Sequence, residues 1–290
     1  MQFETVTITP EIAESYLQHN IGNRPLKKGK LEKFAFSLSQ GQWVQNGDTI
    51  RFDVDGKLID GQHRLEAVII SEVSLVDQPV VRGLSLEAWR TIDDGTKRTD
   101  ADVLARHGVP NAKGLASIAK VLMLIEGEHS PYDKVQRNLI SKLDLEKWVV
   151  PKETQLTEIY KEAANANQLS KFNTTALGVM IYEITRKYGA LTATDFIEGL
   201  IEGVPDGLTT HDPRSMMKAW RLRNFRPKKG TTIKTEAQLA VLINGFNYWI
   251  HGKKLKKVHQ PSFDATNFPV LGDKPENFSK LEDLIEGTDV

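Results

Sequence analysis

Between residues 56 and 70, GKLIDGQHRLEAVII, the hydrophobic period changes within a few positions. Leu58 and Ile59 close a short strand, whereas Leu65, Val68 and Ile69 take helical spacing, so the chain turns from strand into helix at Asp60-Gly61. Such a junction gathers N–H groups that lack a partner within the helix, and the positive end of the helix dipole, at one point. Gly61 lets a ligand approach the backbone closely. Gln62 offers an amide, His63 a donor or base, and Arg64 a planar fork suited to phosphate oxygens. Together these describe an anion site, with phosphate the favoured anion. Asp60 fits such a site by holding Mg²⁺, by orienting a nucleophile, or by capping the helix. The plain alternative is an N-cap at Asp60 followed by exposed polar residues in the first turn.

The flanking sequence predicts a mixed α/β region over residues 1–110. ETVTIT alternates as a strand does, and TPEIAESYL follows with Thr9 as N-cap and Pro10 at the first helical position. After the polar loop GNRPLKKGK, the residues Leu31, Phe34, Ala35 and Leu38 share one face of a helix that stops near Gly41. Ile50, Phe52 and Val54 alternate with polar residues in a half-buried strand, and Asp55-Gly56 signals a two-residue hairpin returning through KLI. QPVVRGL predicts a further strand. LSLEAWRTIDDGTKRTDADVLARHG predicts a helix, a polar loop and a second helix, in which Thr99 and Asp102 have the spacing of a capping box.

From about residue 112 the strand signals fade. Six stretches, beginning at NAKGLASIAKVL, PKETQLTEIY, TTALGVMIY, TATDFIEGL, DPRSMMKAW and IKTEAQLAVL, carry helical patterns or helix starts, and no repeat period relates them. The expected organisation is therefore α+β: an α/β domain over 1–110, a mostly helical domain over 111–260, and an extended polar tail over 261–290.

Of the 290 residues, 40% are hydrophobic and 26% charged, enough for a soluble protein with a buried core. Lys+Arg and Asp+Glu both number 38, which argues against a chain coated in basic charge but allows a local patch. Zero cysteines removes disulfides, thiolate catalysis and cysteine-type zinc sites, and fits a reducing cytoplasm. MQFETVTITPEIAESYL has no basic segment followed by an apolar run, and no window nears about 18 apolar residues, so neither secretion nor membrane spanning is expected.

LIDGQHRLEA resembles the phosphate-binding motif of the ParB/sulfiredoxin superfamily, and the Asp-Gly-Gln-His-Arg form resembles a domain of DndB-type proteins linked to DNA modification. GNRPLKKGKLEKFAFSLSQGQW is similar to the first conserved box of ParB domains, and the order helix, hairpin, motif, helix, strand is also theirs. IDDGTKRT (92–99) stands where ParB domains place a segment that contacts nucleotide phosphates and metal, with its polar and arginine character carried over. The resemblance covers roughly residues 5–105. Two departures matter. Gln62 stands where sulfiredoxins have their nucleophilic cysteine, which excludes that activity. His63 replaces the second arginine of the ParB motif.

The resemblance implies a site that binds ATP or CTP with Mg²⁺. Gly61, Gln62, His63 and Arg64 would cradle the phosphates, with Asn23 and Arg24 facing the same pocket. Thr96, Lys97 and Arg98 would complete the phosphate shell, and Asp60, Asp93 and Asp94 the metal shell. Asp60 and His63 are the candidate catalytic pair. The plain alternatives are Arg64 in a surface ion pair with Glu66 or Glu32, His63 packed over the sheet edge, Asn23 and Arg24 in a loop that merely caps the next helix, and 92–99 a solvated turn with internal ion pairs.

In the helical half, WRLRNFRPKKG and HGKKLKKVH hold most of the clustered basic charge. Arg221, Arg223, Arg226, Lys228, Lys229, Lys253, Lys254, Lys256 and Lys257 interleave there with Trp220, Phe225 and Trp249, the pattern of a nucleic-acid surface. Amphipathic helices with solvated lysines look much the same. Two function classes follow. One is an enzyme, an ATPase or kinase, hydrolysing a nucleotide or transferring its terminal phosphate. The other is a ParB- or DndB-like DNA-binding protein with a regulatory or vestigial nucleotide pocket, with DNA and a second copy of the chain as candidate partners. A nuclease would need clustered carboxylates that the sequence does not supply.

Overall fold

Strand β1 (Gln2–Ile8) forms where the sequence alternates, and helix α1 (Pro10–Leu17) starts at once, because Thr9 accepts the Ile12 N–H (3.3 Å) and Pro10 presets the first turn. This computed structural model describes residues 1–23, 25–88, 92, 98–131, 133–202, 211–225, 233–259 and 266–275. The chain divides into two units, Met1–Arg98 with Asn138–Leu143, and the remainder of the described chain. The sequence put the change near residue 110. In the structure the capped helix after Arg98 belongs to the second unit, and a short later segment returns to the first.

The first unit continues with α2 (Lys28–Ser39), β2 (Ile50–Asp53), β3 (Leu58–Asp60), α3 (Gln62–Ser71) and β4 (Leu75–Leu84). The sheet is mixed, in the order β1-β4-β2-β3, with β2 and β4 parallel and the other pairs antiparallel. Ile8, Ile50, Phe52, Leu58, Leu65, Val68 and Val80 meet in one core with Ala13, Ala35 and Leu38 from α1 and α2. Each large side chain so buried contributes roughly 1.5–3 kcal/mol.

The hairpin differs from the sequence reading. Val54, expected inward, is 61% exposed, and Asp53 is buried instead. The Asp53 carboxylate accepts the N–H groups of Asp55 (2.9 Å) and Lys57 (2.8 Å), so the strand ends at Asp53 to close the turn. Only Gly56 has positive φ (+77°), which makes a three-residue loop; a two-residue type I′ turn needs positive φ at both central residues. After β4, which runs through Leu84, residues 85–88 form a turn where the sequence predicts the helix LSLEAWR; Trp89 and Arg90 lie outside the described residues.

The second unit is helical: α4 (Asp100–Arg106), α5 (Ala112–Glu126), α6 (Lys134–Leu139), α7 (Lys142–Val149), α8 (Glu153–Ser170), α9 (Thr174–Tyr188), α10 (Ala190–Glu202), α11 (Pro213–Arg223) and α12 (Thr235–Ile250), with α6 and the start of α7 overlapping the returning segment. The capping box is present at α4, where Thr99 and Asp102 exchange bonds. None of the described helices is long and apolar enough to cross a membrane.

Beyond residue 259, the described part of the tail has neither helix nor strand and is held by side chains of α9 and α12. The Asn247 amide donates to the Val270 carbonyl (2.9 Å) and accepts the Gly272 N–H (2.8 Å), while the Tyr188 hydroxyl donates to the Gly272 carbonyl. Burial, reinforced by the Asp273 carboxylate, pushes the Tyr188 phenol up to about 12. Its neutral form is favoured in the folded state, so its contribution to stability is complete below the ordinary tyrosine value near 10 and is lost as pH rises towards 12. Urea unfolding is therefore expected to weaken between pH 10 and 12, with a smaller decline in Tyr188→Phe; equal declines in both proteins would contradict this assignment.

Candidate functional site

The strand–helix junction starts from Gly61, whose φ of +110° disfavours any side chain. A Cβ there would lie 3.1 Å from Cγ1 and 3.3 Å from Cγ2 of the fully buried Ile50. The Gly61 carbonyl accepts from the N–H of Arg64 (2.9 Å) and Leu65 (3.0 Å), so Gly61 is the N-cap of α3, with no side-chain cap. This corrects the capping role considered for Asp60.

Asp60 ends β3 and holds two guanidinium groups with one oxygen. Its Oδ2 accepts from Arg51 Nη1 (3.0 Å) and Arg64 Nη2 (3.3 Å), and Arg64 Nη2 also donates to the Thr49 carbonyl (2.7 Å). Arg64 is only 6% exposed. The surface ion pair with Glu66 or Glu32 is not formed; Glu32 lies 3.8 Å from Lys28. Arg64 thus joins β2, β3 and α3 from within.

His63 is buried as well, and its Nε2 accepts the Lys27 N–H at 3.0 Å. Lys27 is the N-cap of α2, which has no cap from its own side chains, so an imidazole on α3 supplies it. The Gln62 carbonyl oxygen accepts from the Asn20 amide (3.2 Å), and Asn20 accepts from Asn23 (2.7 Å), which also donates to the Leu58 carbonyl. The His19 carbonyl takes the Leu58 N–H (2.9 Å). The loop after α1 is thereby laced to the edge strand β3 and to the motif.

The motif residues, with Asn23, Arg51 and Leu58, border one cleft of about 1620 Å³ within the first unit. That exceeds the roughly 300–1,000 Å³ of a usual small-ligand pocket. Of the expected residues, Asn23, Asp60, Gly61, Gln62, His63, Arg64 and Arg98 line it. Arg24, Asp93, Asp94, Thr96 and Lys97 lie outside the described residues. The lining includes seven lysines and arginines against four aspartates, so a chain of zero net charge concentrates positive charge here. Lys30, Lys33, Arg51, Lys57 and Lys142 were not anticipated. Lys30 and Lys33 are three apart on α2, and Arg51 alternates with the inward Ile50 and Phe52, so those three had a readable signal. Among the described residues no group of three His, Cys, Asp or Glu side chains is arranged to hold a metal ion.

In the second unit the expected basic and aromatic residues differ in burial. Arg221, expected on a nucleic-acid surface, is 4% exposed with its guanidinium 5.1 Å from the Phe225 ring, and burial pulls its pKa below the ordinary arginine value. Trp220 is buried and stacks on Phe172, and Trp249 packs against Phe196 and Phe246. Trp220 and Arg221 are thus enclosed and Trp249 is half-buried against two core phenylalanines, whereas Phe225 is 42% exposed; burial takes Trp220 and Arg221 off the expected face. Arg223, Lys253, Lys254, Lys256 and Lys257 are exposed; Arg226, Lys228 and Lys229 lie outside the described residues.

No family model, curated protein or solved structure matches the chain.

Two substitutions test the junction. Gly61→Ala forces a disfavoured φ and moves Ile50, and is expected to cost about 1–3 kcal/mol in urea unfolding. Asp60→Asn leaves the buried Arg64 without its counter-charge; because Asp60 is partly solvated, a cost of about 2–3 kcal/mol is expected, below that of a fully buried pair. A neutral outcome at either position would remove it from the scaffold.

Proposed function

We propose that the first unit is a nucleotide-binding domain of the ParB/sulfiredoxin-like kind, taking ATP or CTP with Mg²⁺ in the cleft at the start of α3, in a protein of DNA metabolism or modification. The observation that carries this reading is the cleft's charge: seven cationic side chains gather around a helix start that has no side-chain cap and no Cβ at Gly61. A phosphate chain is the common metabolite group that combines high negative charge with oxygens able to use backbone N–H groups and cations together. Magnesium would arrive with the nucleotide, since it keeps several waters and needs only one or two protein carboxylates.

The same geometry favours binding over fast turnover. Asp60 and His63, the residues proposed to hold metal or move a proton, already serve Arg51, Arg64 and the Lys27 N–H. Either would have to exchange those partners to activate a water or an acceptor hydroxyl. The pocket on this reading senses a nucleotide, and hydrolysis or phosphotransfer is slow. The exposed Lys253, Lys254, Lys256 and Lys257 support the DNA-contacting role for the second unit.

Calorimetry with Mg²⁺-ATP and Mg²⁺-CTP is expected to give saturable binding to one of them, weakened at least tenfold by the double substitution Lys30→Glu, Lys33→Glu. Phosphate release is expected below about 1 s⁻¹, the low end of ordinary enzyme turnover. Absence of both heat and thermal shift with every Mg²⁺-nucleoside triphosphate would falsify the proposal.

A further inference from the structure

The cations of the cleft are not equivalent. Arg51 and Arg64 share the Asp60 carboxylate, and Lys57 lies 3.9 Å from Asp55, so three of the seven have their charge offset within the fold. Arg98 and Lys142 differ: among the described residues neither pairs with a carboxylate, and both are exposed on the cleft lining. The Lys142 ammonium donates to the backbone carbonyl of Arg98. An ammonium has three N–H donors, so this bond leaves donor capacity directed elsewhere.

Lys142 comes from Asn138–Leu143, the segment that leaves the helical half of the sequence and belongs to the first unit. It is the first residue of α7, where the helix dipole disfavours a cation by about 0.3–1 kcal/mol. Helix formation alone therefore gives no reason for a lysine there, whereas a negatively charged ligand in the cleft does.

We propose that Lys142 is a ligand of the terminal phosphate and the positioning residue for Arg98, and that Arg64 is scaffold. This rests on the nucleotide reading above and specifies it: the ligand class is a polyphosphate-bearing nucleotide, because a monophosphate has no group to place against a second cationic wall. The bond from Lys142 fixes the Arg98 backbone at the rim, and the two charges then act on the same phosphoryl oxygens.

The test compares wild-type protein with Lys142→Ala, Lys142→Gln and Lys142→Arg, using Mg²⁺-ATP, Mg²⁺-CTP, the corresponding monophosphates and inorganic tripolyphosphate, each by calorimetry over a range of salt. Lys142→Ala and Lys142→Gln are expected to weaken the preferred triphosphate at least tenfold, flatten its salt dependence, and leave monophosphate binding within threefold. Lys142→Arg is expected to restore most of the affinity, which a purely structural role for the lysine would not predict. Because Lys142 is exposed, thermal unfolding should be unchanged. If the preferred triphosphate binds Lys142→Ala as tightly as wild type, the inference is wrong and the nucleotide reading stands. If wild type binds no triphosphate, the nucleotide reading fails and this inference goes with it. Tripolyphosphate binding equal to that of the nucleotide would assign the site to the phosphate chain alone.

Discussion

One carboxylate oxygen, Asp60 Oδ2, receives Arg51 from β2 and Arg64 from α3 at the end of β3. The bond from Arg64 to the Thr49 carbonyl extends that tie to the residue before β2. Burying a guanidinium costs less when its charge is met, so the shared carboxylate fixes the strand ends and the helix start together. Gly61 makes the arrangement sterically possible: its φ of +110° redirects the chain, and the missing Cβ lets α3 begin against Ile50. The cleft inherits its floor from this one junction.

That dependence changes how the motif reads. Three of its polar side chains face standing partners: Asp60 two arginines, Gln62 the Asn20 amide, His63 the Lys27 N–H. Through Gln62 and His63 the motif also sets the loop between α1 and α2, which carries Asn23 to the cleft. A phosphate arriving at the start of α3 would meet a surface already ordered by these bonds, and preorganisation of that kind lowers the entropy lost on binding. The residues that order the surface need not be those that meet the ligand's charge.

Much of the local structure was legible because it follows from short-range rules. Thr9-Pro10, the Thr99/Asp102 box and the period change at Asp60-Gly61 each produce the predicted feature. The misses arise where a side chain serves the backbone or the chain closes over a distance. Asp53 defeats the alternation of β2 because its carboxylate closes the hairpin, which turns Val54 outward. Helices α6 and α7, of six and eight residues, are too short to show a period. Lys142 reaches the cleft from a segment 78 positions after Arg64, and no local pattern announces such a return.

Residue type alone cannot separate a phosphate ligand from a structural cation, because both roles ask for the same guanidinium or ammonium. Burial and partner count can. Arg64 is enclosed and shares a carboxylate; Arg221 is enclosed against Phe225; Lys142 is exposed, bonded to a carbonyl, and unmatched by any acid among the described residues. A cation such as Arg64 that shares a carboxylate within the fold contributes little field outside it, since its charge is offset nearby. A binding cation is left with its field directed into solvent, where the Debye length of about 8 Å at physiological salt lets it act on an approaching anion. By that criterion Lys142 and Arg98, tied to each other by the Lys142 bond to the Arg98 carbonyl, carry the cleft charge that no carboxylate among the described residues offsets, while Arg64 in the motif is committed to the fold.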